Sequence, residues 1–341
     1  MDDKRIHRVL WAVVESYITN PDPVGSRFVT KKYAFNLSPA TIRNIMADLE
    51  EMGFLLQPHT SAGRIPTDKG YRYYVDTLVQ DEPGTDTALS RELGTRLENI
   101  RNDINSLLME TTKTLSSLSH YLAFALPPKP DKSTFRKINL FRHRKDQVAI
   151  FLLTNEGVIK NKIIQVNSDI SQRDLARIAE YLNSEFANHT IDEIRTKLLK
   201  EMYRDKALCD ALIAKAMEIC QEAVSFNPDE LFISGLSEVL GLPDFLDLDR
   251  IREVFHAIED KHLIIKILDM LSETEGVRVL IGSENPAEEL RKMSMVVSTY
   301  KEGDKTMGTV GIIGPTRMDY SKAITIVDTT AKFISRILTE R

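Results

Sequence analysis

The first eighty residues carry the pattern that most restricts the fold, three short helices followed by a strand, a turn and a second strand. The first helix has apolar residues at helical spacing, namely Ile6, Val9, Leu10, Val13, Val14 and Tyr17. Asn20-Pro21-Asp22-Pro23 ends it, because proline lacks the amide that a helix needs. Ser26 is predicted to cap a second helix that runs through Tyr33. A third helix follows closely, which indicates a helix-turn-helix arrangement.

The third helix has a clear start and a clear end. Ser38 supplies a capping oxygen, and Pro39 occupies the first turn, where its missing amide costs nothing. Gly53 is predicted to end the helix as a C-terminal cap. One face is apolar and is expected to be buried, comprising Ile42, Ile45, Met46 and Leu49.

The opposite face of this helix suits the major groove of DNA. Ala40 lets the backbone approach the groove closely, while Arg43 can pair with guanine and Asn44 with adenine through two hydrogen bonds each. Thr41 and Ser38 can hold phosphates, aided by the amides at the helix N-terminus. We therefore expect this helix to read bases.

The segment after this helix is predicted to be a wing. Phe54–Gln57 and Arg64–Thr67 are short strands around the turn Pro58–Gly63. An arginine near the tip of a wing can enter the minor groove, where the negative potential attracts it. The wing and the helix after it supply the remaining DNA-contact candidates, which are His59, Thr60, Ser61, Arg64 and Arg72. His59 alone is interpreted as a loop residue rather than a metal ligand. Three-helix units with a hairpin also mediate protein contacts, so pattern alone leaves that alternative open.

Charge is distributed unevenly along the chain. The whole protein has a formal net charge of −5, yet residues 25–72 carry seven basic side chains against four acidic ones. Residues 228–260 reverse the balance, with nine acidic side chains against two arginines. Because the local position of positive charge decides nucleic-acid binding, the N-terminal segment remains a suitable DNA-binding unit.

A polar break at residues 80–85 separates this unit from the rest of the chain. A long helix is predicted next, with apolar residues stepping by four and three from Leu93 to Leu122, until Pro127-Pro128 ends it. It either packs on its own domain or joins two subunits.

The remaining elements predict an α+β domain that is interrupted by an insert. Strands are predicted early, within 136–166, and late, within 277–313, with a helix-rich block between them. The expected division is a winged-helix domain at 1–80, an α+β domain with its leading long helix at 88–166 and 228–341, and an insert at 167–227. Alternatively, the insert begins earlier and the three early strands belong to it.

Several functional classes find no support. The chain lacks the phosphate-binding G-x-x-x-x-G-K-[ST], H-E-x-x-H and G-x-S-x-G patterns, so we expect no enzyme and no cofactor. Its only cysteines, Cys209 and Cys220, favour core packing over a disulfide framework or a metal site. No apolar run reaches the roughly 20 residues of a membrane span, and the N-terminus lacks signal-peptide features. We therefore expect a cytoplasmic protein.

Long ungapped runs resemble the HrcA family of heat-inducible transcription repressors. They are Ser38–Asn44, Pro58–Thr67, Gly70–Arg72, Gly276–Asn285 and Gly308–Tyr320, so the resemblance extends over nearly the whole chain. Ile45 departs from the acidic residue of many members, but it falls on the buried stripe. The resemblance implies that the α+β domain is GAF-like and that the insert mediates dimerisation. It also implies a homodimer on an inverted-repeat operator, the CIRCE element before chaperone operons, with the chaperonin GroEL as a partner that assists repression.

Two other functional classes stay open. A GAF-like domain can bind a small effector, which would make the chain a ligand-sensing transcription regulator whose main site lies in its body. A pure interaction scaffold is the third possibility, and it predicts no DNA preference.

Overall fold

The structure is a computed structural model of the 341-residue chain. It describes residues 3–80, 87–97, 104–128, 134–155, 159–166, 170–191, 193–194, 196–197, 219–220, 231–242, 244, 260–271 and 276–340. Most of the predicted insert beyond residue 197, and residues 81–85 of the predicted linker, therefore lie outside the described residues.

The N-terminal unit is a winged helix, as predicted. Its elements are α1 (Asp3–Thr19), α2 (Ser26–Lys32), α3 (Pro39–Glu51), β1 (Leu55–Leu56), β2 (Ile65–Pro66) and α4 (Asp68–Gln80). The two short strands pair antiparallel. Gly53 follows α3 with a φ of +79°, a conformation that glycine adopts without strain. One detail differs, because α2 begins at Ser26 and its N-cap is Gly25, without a side-chain cap.

The body is built on a five-stranded antiparallel sheet. In spatial order the strands are β7 (Phe232–Ser234), β3 (Leu122–Leu126), β10 (Lys305–Pro315), β9 (Met293–Glu302) and β8 (Val277–Ile281). The helices of the body are α5 (Thr87–Leu97), α6 (Ile104–Ser119), α8 (Leu236–Leu240), α9 (Lys261–Leu271) and α10 (Tyr320–Thr339). Both faces of the sheet are covered, since α5, α6 and α10 share a core with one face and α9 with the other.

The predicted long helix from Leu93 to Leu122 is wrong at its end. The helix α6 stops at Ser119, and Leu122 begins β3, which lies inside the sheet. Along β3 the side chains alternate between two cores, with Ala123 on one side and Phe124 on the other. A strand that is buried on both faces lacks the alternation of polar and apolar residues that identifies a strand. Its apolar residues therefore fitted the helical spacing of the preceding segment.

The three early strands form a sheet of their own. They are β4 (Phe135–Arg144), β5 (Gln147–Thr154) and β6 (Ile159–Gln165), and they pack on α7 (Gln172–Glu185). A boundary at residue 167 would cut this hydrophobic cluster in two, whereas the alternative in which the strands belong to the insert keeps it whole. Cys220 is buried in the same cluster, and this burial raises the pKa of its thiol to about 12. Cys209 lies outside the described residues.

The winged helix is docked on the body. One continuous apolar cluster runs from α1 and α3 through α4 into the sheet and α10. The rings of Tyr71 on α4 and Tyr320 on α10 lie 5.8 Å apart within it. In the part of the chain that is described, no helix is long and apolar enough to cross a membrane.

Candidate nucleic-acid interface

One face of α3 is free of contacts with the core. Ile42, Ile45, Met46 and Leu49 are buried, as expected, and hold the helix against α1 and α2. The residues predicted to meet DNA lie on the other side and are all exposed, namely Ser38, Ala40, Thr41, Arg43 and Asn44. The structure therefore brings these five candidates together on one surface.

Ser38 is the N-cap of α3. Its Oγ accepts a hydrogen bond from the backbone N–H of Thr41 at 3.1 Å and lies 2.9 Å from the Thr41 hydroxyl. Pro39 occupies the first turn, as predicted. The two hydroxyls are thus ordered beside the exposed N-terminus of the helix, where backbone amides favour an anion.

Substitution of Ser38 tests its role as the N-cap of α3. Ser38→Ala removes the acceptor of the Thr41 amide and should destabilise α3 by about 1 kcal/mol, which is about fivefold faster amide exchange. Ser38→Asn keeps a capping oxygen and should exchange like the wild type. Hydrogen exchange across α3 measures both variants, and equal acceleration in the two would show that capping is not the cause.

The wing is braced against its own turn. The side-chain amide of Gln57 donates to the carbonyl oxygens of Thr60 (3.0 Å) and Ala62 (2.9 Å). Gly63 approaches the neighbouring backbone so closely that an added Cβ would lie 2.4 Å from the carbonyl oxygen of Val24. The turn of the wing therefore has a defined position against the loop before α2, and its candidates His59, Thr60 and Ser61 are exposed.

Arg64 does not project from the tip of the wing. Its guanidinium forms an ion pair with Glu50 on α3 at 2.8 Å, and only 16% of its side chain is exposed. Its backbone N–H and carbonyl pair with those of Val24. The arginine that was expected to reach the minor groove instead ties the base of the wing to α3.

Arg72 faces the body rather than the candidate surface on α3. Its Nε donates to Glu284 Oε1 at 2.7 Å, a second guanidinium nitrogen contacts the other carboxylate oxygen, and the same nitrogen donates to the carbonyl of Val279 at 2.6 Å. Although burial opposes the charge, the hydrogen bond and charge of Glu284 raise the pKa of Arg72 above its ordinary value. The structure separates Arg72 from the other candidates.

Two basic side chains beside α3 were counted in the local charge but not singled out. Arg27 and Lys31 on α2 are exposed, and α2 packs directly on α3. The first helix of a helix-turn-helix commonly crosses the DNA backbone, which makes both residues candidates for phosphate contacts. The signal in the sequence was their position in α2, the helix that precedes α3.

A second exposed surface lies on the outer face of the three-stranded sheet. Phe141, Phe151 and Ile163 are 51%, 40% and 56% exposed, and the two phenylalanine rings lie 5.7 Å apart. Phe141 and Ile163 flank the half-buried Ala149 across the strands, so these apolar side chains are contiguous. Contiguous apolar surface of this kind is typical of an interaction site. We call Phe141, Phe151 and Ile163 the outer apolar face.

Comparisons with known proteins agree on one family. A family model described as the HrcA protein C-terminal domain matches residues 105–324, more than half of the chain. The heat-inducible transcription repressor HrcA of Thermodesulfovibrio yellowstonii is 43% identical, over 100% of this chain and 99% of that protein. The repressor of the same name from Geobacter sulfurreducens is 40% identical, over 97% and 96%.

The fold also has a solved counterpart. A crystal structure described as a hypothetical protein at 2.2 Å resolution aligns with a TM-score of 0.69 and 23% identity, covering 100% of this chain and 99% of that one. This likeness supports the fold, while the family rests on the full-length relatives. With a winged helix at its N-terminus and these relatives along its whole length, the chain belongs to the HrcA family of heat-inducible transcription repressors.

Proposed function

We propose that this chain represses chaperone operons by binding the CIRCE inverted repeat as a homodimer. The observation that carries the proposal is the exposed face of α3, where Arg43 and Asn44 stand beside an ordered, capped helix N-terminus. A basic segment in an acidic protein directs this face, rather than the body, towards DNA.

Each exposed residue has a proposed role. Arg43 and Asn44 contact base edges, and Ala40 allows close approach. Ser38 and Thr41 hold phosphates at the helix N-terminus. The wing tip, formed by His59, Thr60 and Ser61, contacts the DNA next to the groove that α3 enters. Arg64 and Arg72 do not contact DNA in this proposal. They position the wing and the winged helix, because their side chains bind Glu50 and Glu284.

Two copies are needed because the proposed operator has two-fold symmetry. The outer apolar face supports a contact between copies, since it is an apolar surface on the three-stranded sheet, which the alternative division assigns to the insert. We further propose that the five-stranded sheet with its helices is the GAF-like domain of the family and mainly positions the winged helices.

In this proposal GroEL assists the folding of the repressor and does not act as a bound effector. When heat fills the chaperonin with unfolded clients, less of it is free to keep the repressor in its active state, and repression falls. Stability margins of proteins are small, so a change of about 1–2 kcal/mol alters the active fraction several-fold.

A reporter gene behind a CIRCE element tests this function in cells. The wild-type chain should repress the reporter, a heat shift should relieve repression, and extra GroEL should restore it. A reporter with a scrambled element is the control. Equal expression from both reporters at every temperature and GroEL level would contradict the proposal.

One observation favours the ligand-sensing alternative. A cleft of about 700 Å³ lies between α1 and α4 on one side and α5 and α10 on the other, and it has both apolar and charged lining residues, among them Trp11, Glu15, Leu89 and Lys322. A ligand in this cleft would contact the winged helix and the body together. A thermal-shift screen of small molecules separates the alternatives, because a real ligand raises the melting temperature by mass action.

A further inference from the structure

In addition to the shared apolar cluster, polar side chains hold the winged helix on the body at two places. At the first, on α4, Asp68 Oδ2 accepts hydrogen bonds from the backbone N–H of Ser283 at 2.8 Å and from its hydroxyl at 2.7 Å. One turn later, Arg72 forms its paired contact with Glu284. Two planar groups that meet in this way restrict direction as well as distance, which a single point charge does not.

The second place is the C-terminal end of α1. Nη1 of Arg317, in the loop between β10 and α10, donates to the carbonyl oxygen of Ile18 at 2.7 Å. Asp244 holds the same guanidinium at 2.8 Å, and only 13% of the Arg317 side chain is exposed. A cation at a helix C-terminus is favourable, because the last carbonyl oxygens of the helix carry partial negative charge.

Gly282 makes the first contact possible. Its φ is +50°, and an added Cβ would lie 2.5 Å from the Asp68 carboxylate oxygens. The body therefore approaches α4 at a position where only a residue without a side chain fits. We define the latch as Asp68, Arg72, Ser283, Glu284 and Arg317.

Three runs of residues that stand far apart in the sequence meet in this latch. They are the runs around Gly70-Tyr71-Arg72, around Gly282–Asn285 and around Gly314–Tyr320. From the sequence, Arg72 in the first run is a candidate for DNA contact, whereas the other two runs contain no candidate site residue. Their side chains instead join the winged helix to the body, at Asp68, Arg72 and Arg317.

We infer that the latch sets the position of each winged helix and thereby selects the spacing between the two half-sites of the operator. This inference rests on the proposed function, because it requires a dimer on an inverted repeat. One added base pair moves a half-site by about 3.4 Å and turns it by roughly 34°. A dimer with firmly docked winged helices cannot follow that displacement, whereas a dimer with loosely tethered ones can.

Glu284→Gln and Gly282→Ala weaken the latch in different ways. The first removes the charge that Arg72 binds, and the second pushes the Asp68 carboxylate away. Each variant has a matched control. Glu288→Gln makes the same change in a neighbouring ion pair with Arg291 that does not contact the winged helix. Gly303→Ala places alanine at a similar φ of +58°, with nothing within 4 Å of the new Cβ.

The first measurement needs no DNA. Trp11 is the only tryptophan, it is 38% exposed, and it lines the cleft between the winged helix and the body. Acrylamide quenching of its fluorescence should increase in both latch variants and stay at the wild-type level in both controls. Unchanged quenching in Glu284→Gln and Gly282→Ala would overturn the latch as an element that fixes the position of the winged helix on the body.

The second measurement is affinity for inverted repeats whose spacer is lengthened or shortened by one to five base pairs. The wild type and both controls should discriminate against wrong spacers by about 5- to 150-fold, and the latch variants should lose most of this preference while keeping their affinity for a single half-site. Wild-type discrimination that the latch variants retain would overturn the inference. Absence of any operator preference in the wild type would instead overturn the proposed function, and the role of the latch in spacing with it. The quenching experiment would still show whether the latch fixes the winged helix on the body.

Discussion

Replacing Phe141 with glutamate is expected to dissociate the proposed dimer and to weaken operator binding by about 10²- to 10⁴-fold, because the second half-site is no longer bound intramolecularly. Phe141 is 51% exposed and contacts the Phe151 ring on the outer apolar face. A carboxylate on this surface would have to lose its hydration when two copies meet, without a partner for its charge. The fold of the monomer should survive, because the outer apolar face lies opposite the residues that pack on α7.

Met270→Glu is the matched control for this experiment. Met270 is an apolar residue on α9 with 61% exposure, outside the three-stranded sheet, so the same change of side chain is made on another surface. Light scattering gives the molecular mass, and titration with the operator duplex gives the affinity. If Phe141→Glu remains a dimer and Met270→Glu does not, the contact between copies lies elsewhere in the body.

Arg43→Ala should weaken operator binding by about 1–3 kcal/mol for each half-site and relax the base preference at the position that Arg43 reads. Arg43 is exposed, and the buried stripe of α3 lies on the opposite face, so the substitution should leave the helix in place. In the proposed dimer the loss of affinity should be larger than for a single half-site, because both subunits carry the change. Competition between the operator and duplexes with single base changes measures the preference.

Arg27→Ala is the matched comparison for Arg43→Ala. Arg27 is an exposed arginine on α2, where we propose phosphate contact, so its loss should weaken all duplexes alike and reduce the salt slope. The two arginines thus test base reading against backbone contact within one domain. If the Arg43→Ala variant binds the operator with wild-type affinity and selectivity, Arg43 does not belong to the proposed recognition surface.

The winged helix was predictable because its signals are local. Ser38 and Pro39 start a helix, Gly53 ends it, and the period of Ile42, Ile45 and Leu49 assigns its buried face. Each of these features depends on a few neighbouring residues, and the structure has them as expected. The exposed candidates on α3 follow directly, because they are the residues outside that buried stripe.

The sheet of the body was harder to predict because its pairing is not local. Strand β3 lies between β7 and β10, which are contributed by distant parts of the chain. The run Leu122–Leu126 is buried on both faces, so it lacks the alternation of polar and apolar residues that marks a half-buried strand. The 4-3 spacing before it favoured a longer helix instead.

The acidic partners of Arg64 and Arg72 could not be predicted from local patterns either. Arg72 binds Glu284, which is 212 positions away in the sequence, and a basic residue close to a wing is by itself typical of DNA contact. Arg64 has its partner, Glu50, on the preceding helix, but nothing in the spacing indicates whether the arginine turns towards that helix or towards the tip. In both cases the sequence indicated that a basic side chain would bind an anionic group. It did not indicate which way the side chain points.

The most direct test of the repressor is its binding to a duplex that carries the CIRCE inverted repeat, compared with a scrambled duplex, at several salt concentrations. The account predicts a preference of roughly 10³-fold or more and a logarithmic salt slope that corresponds to several phosphate contacts. Equal weak binding to both duplexes, unchanged when GroEL is added, would contradict it.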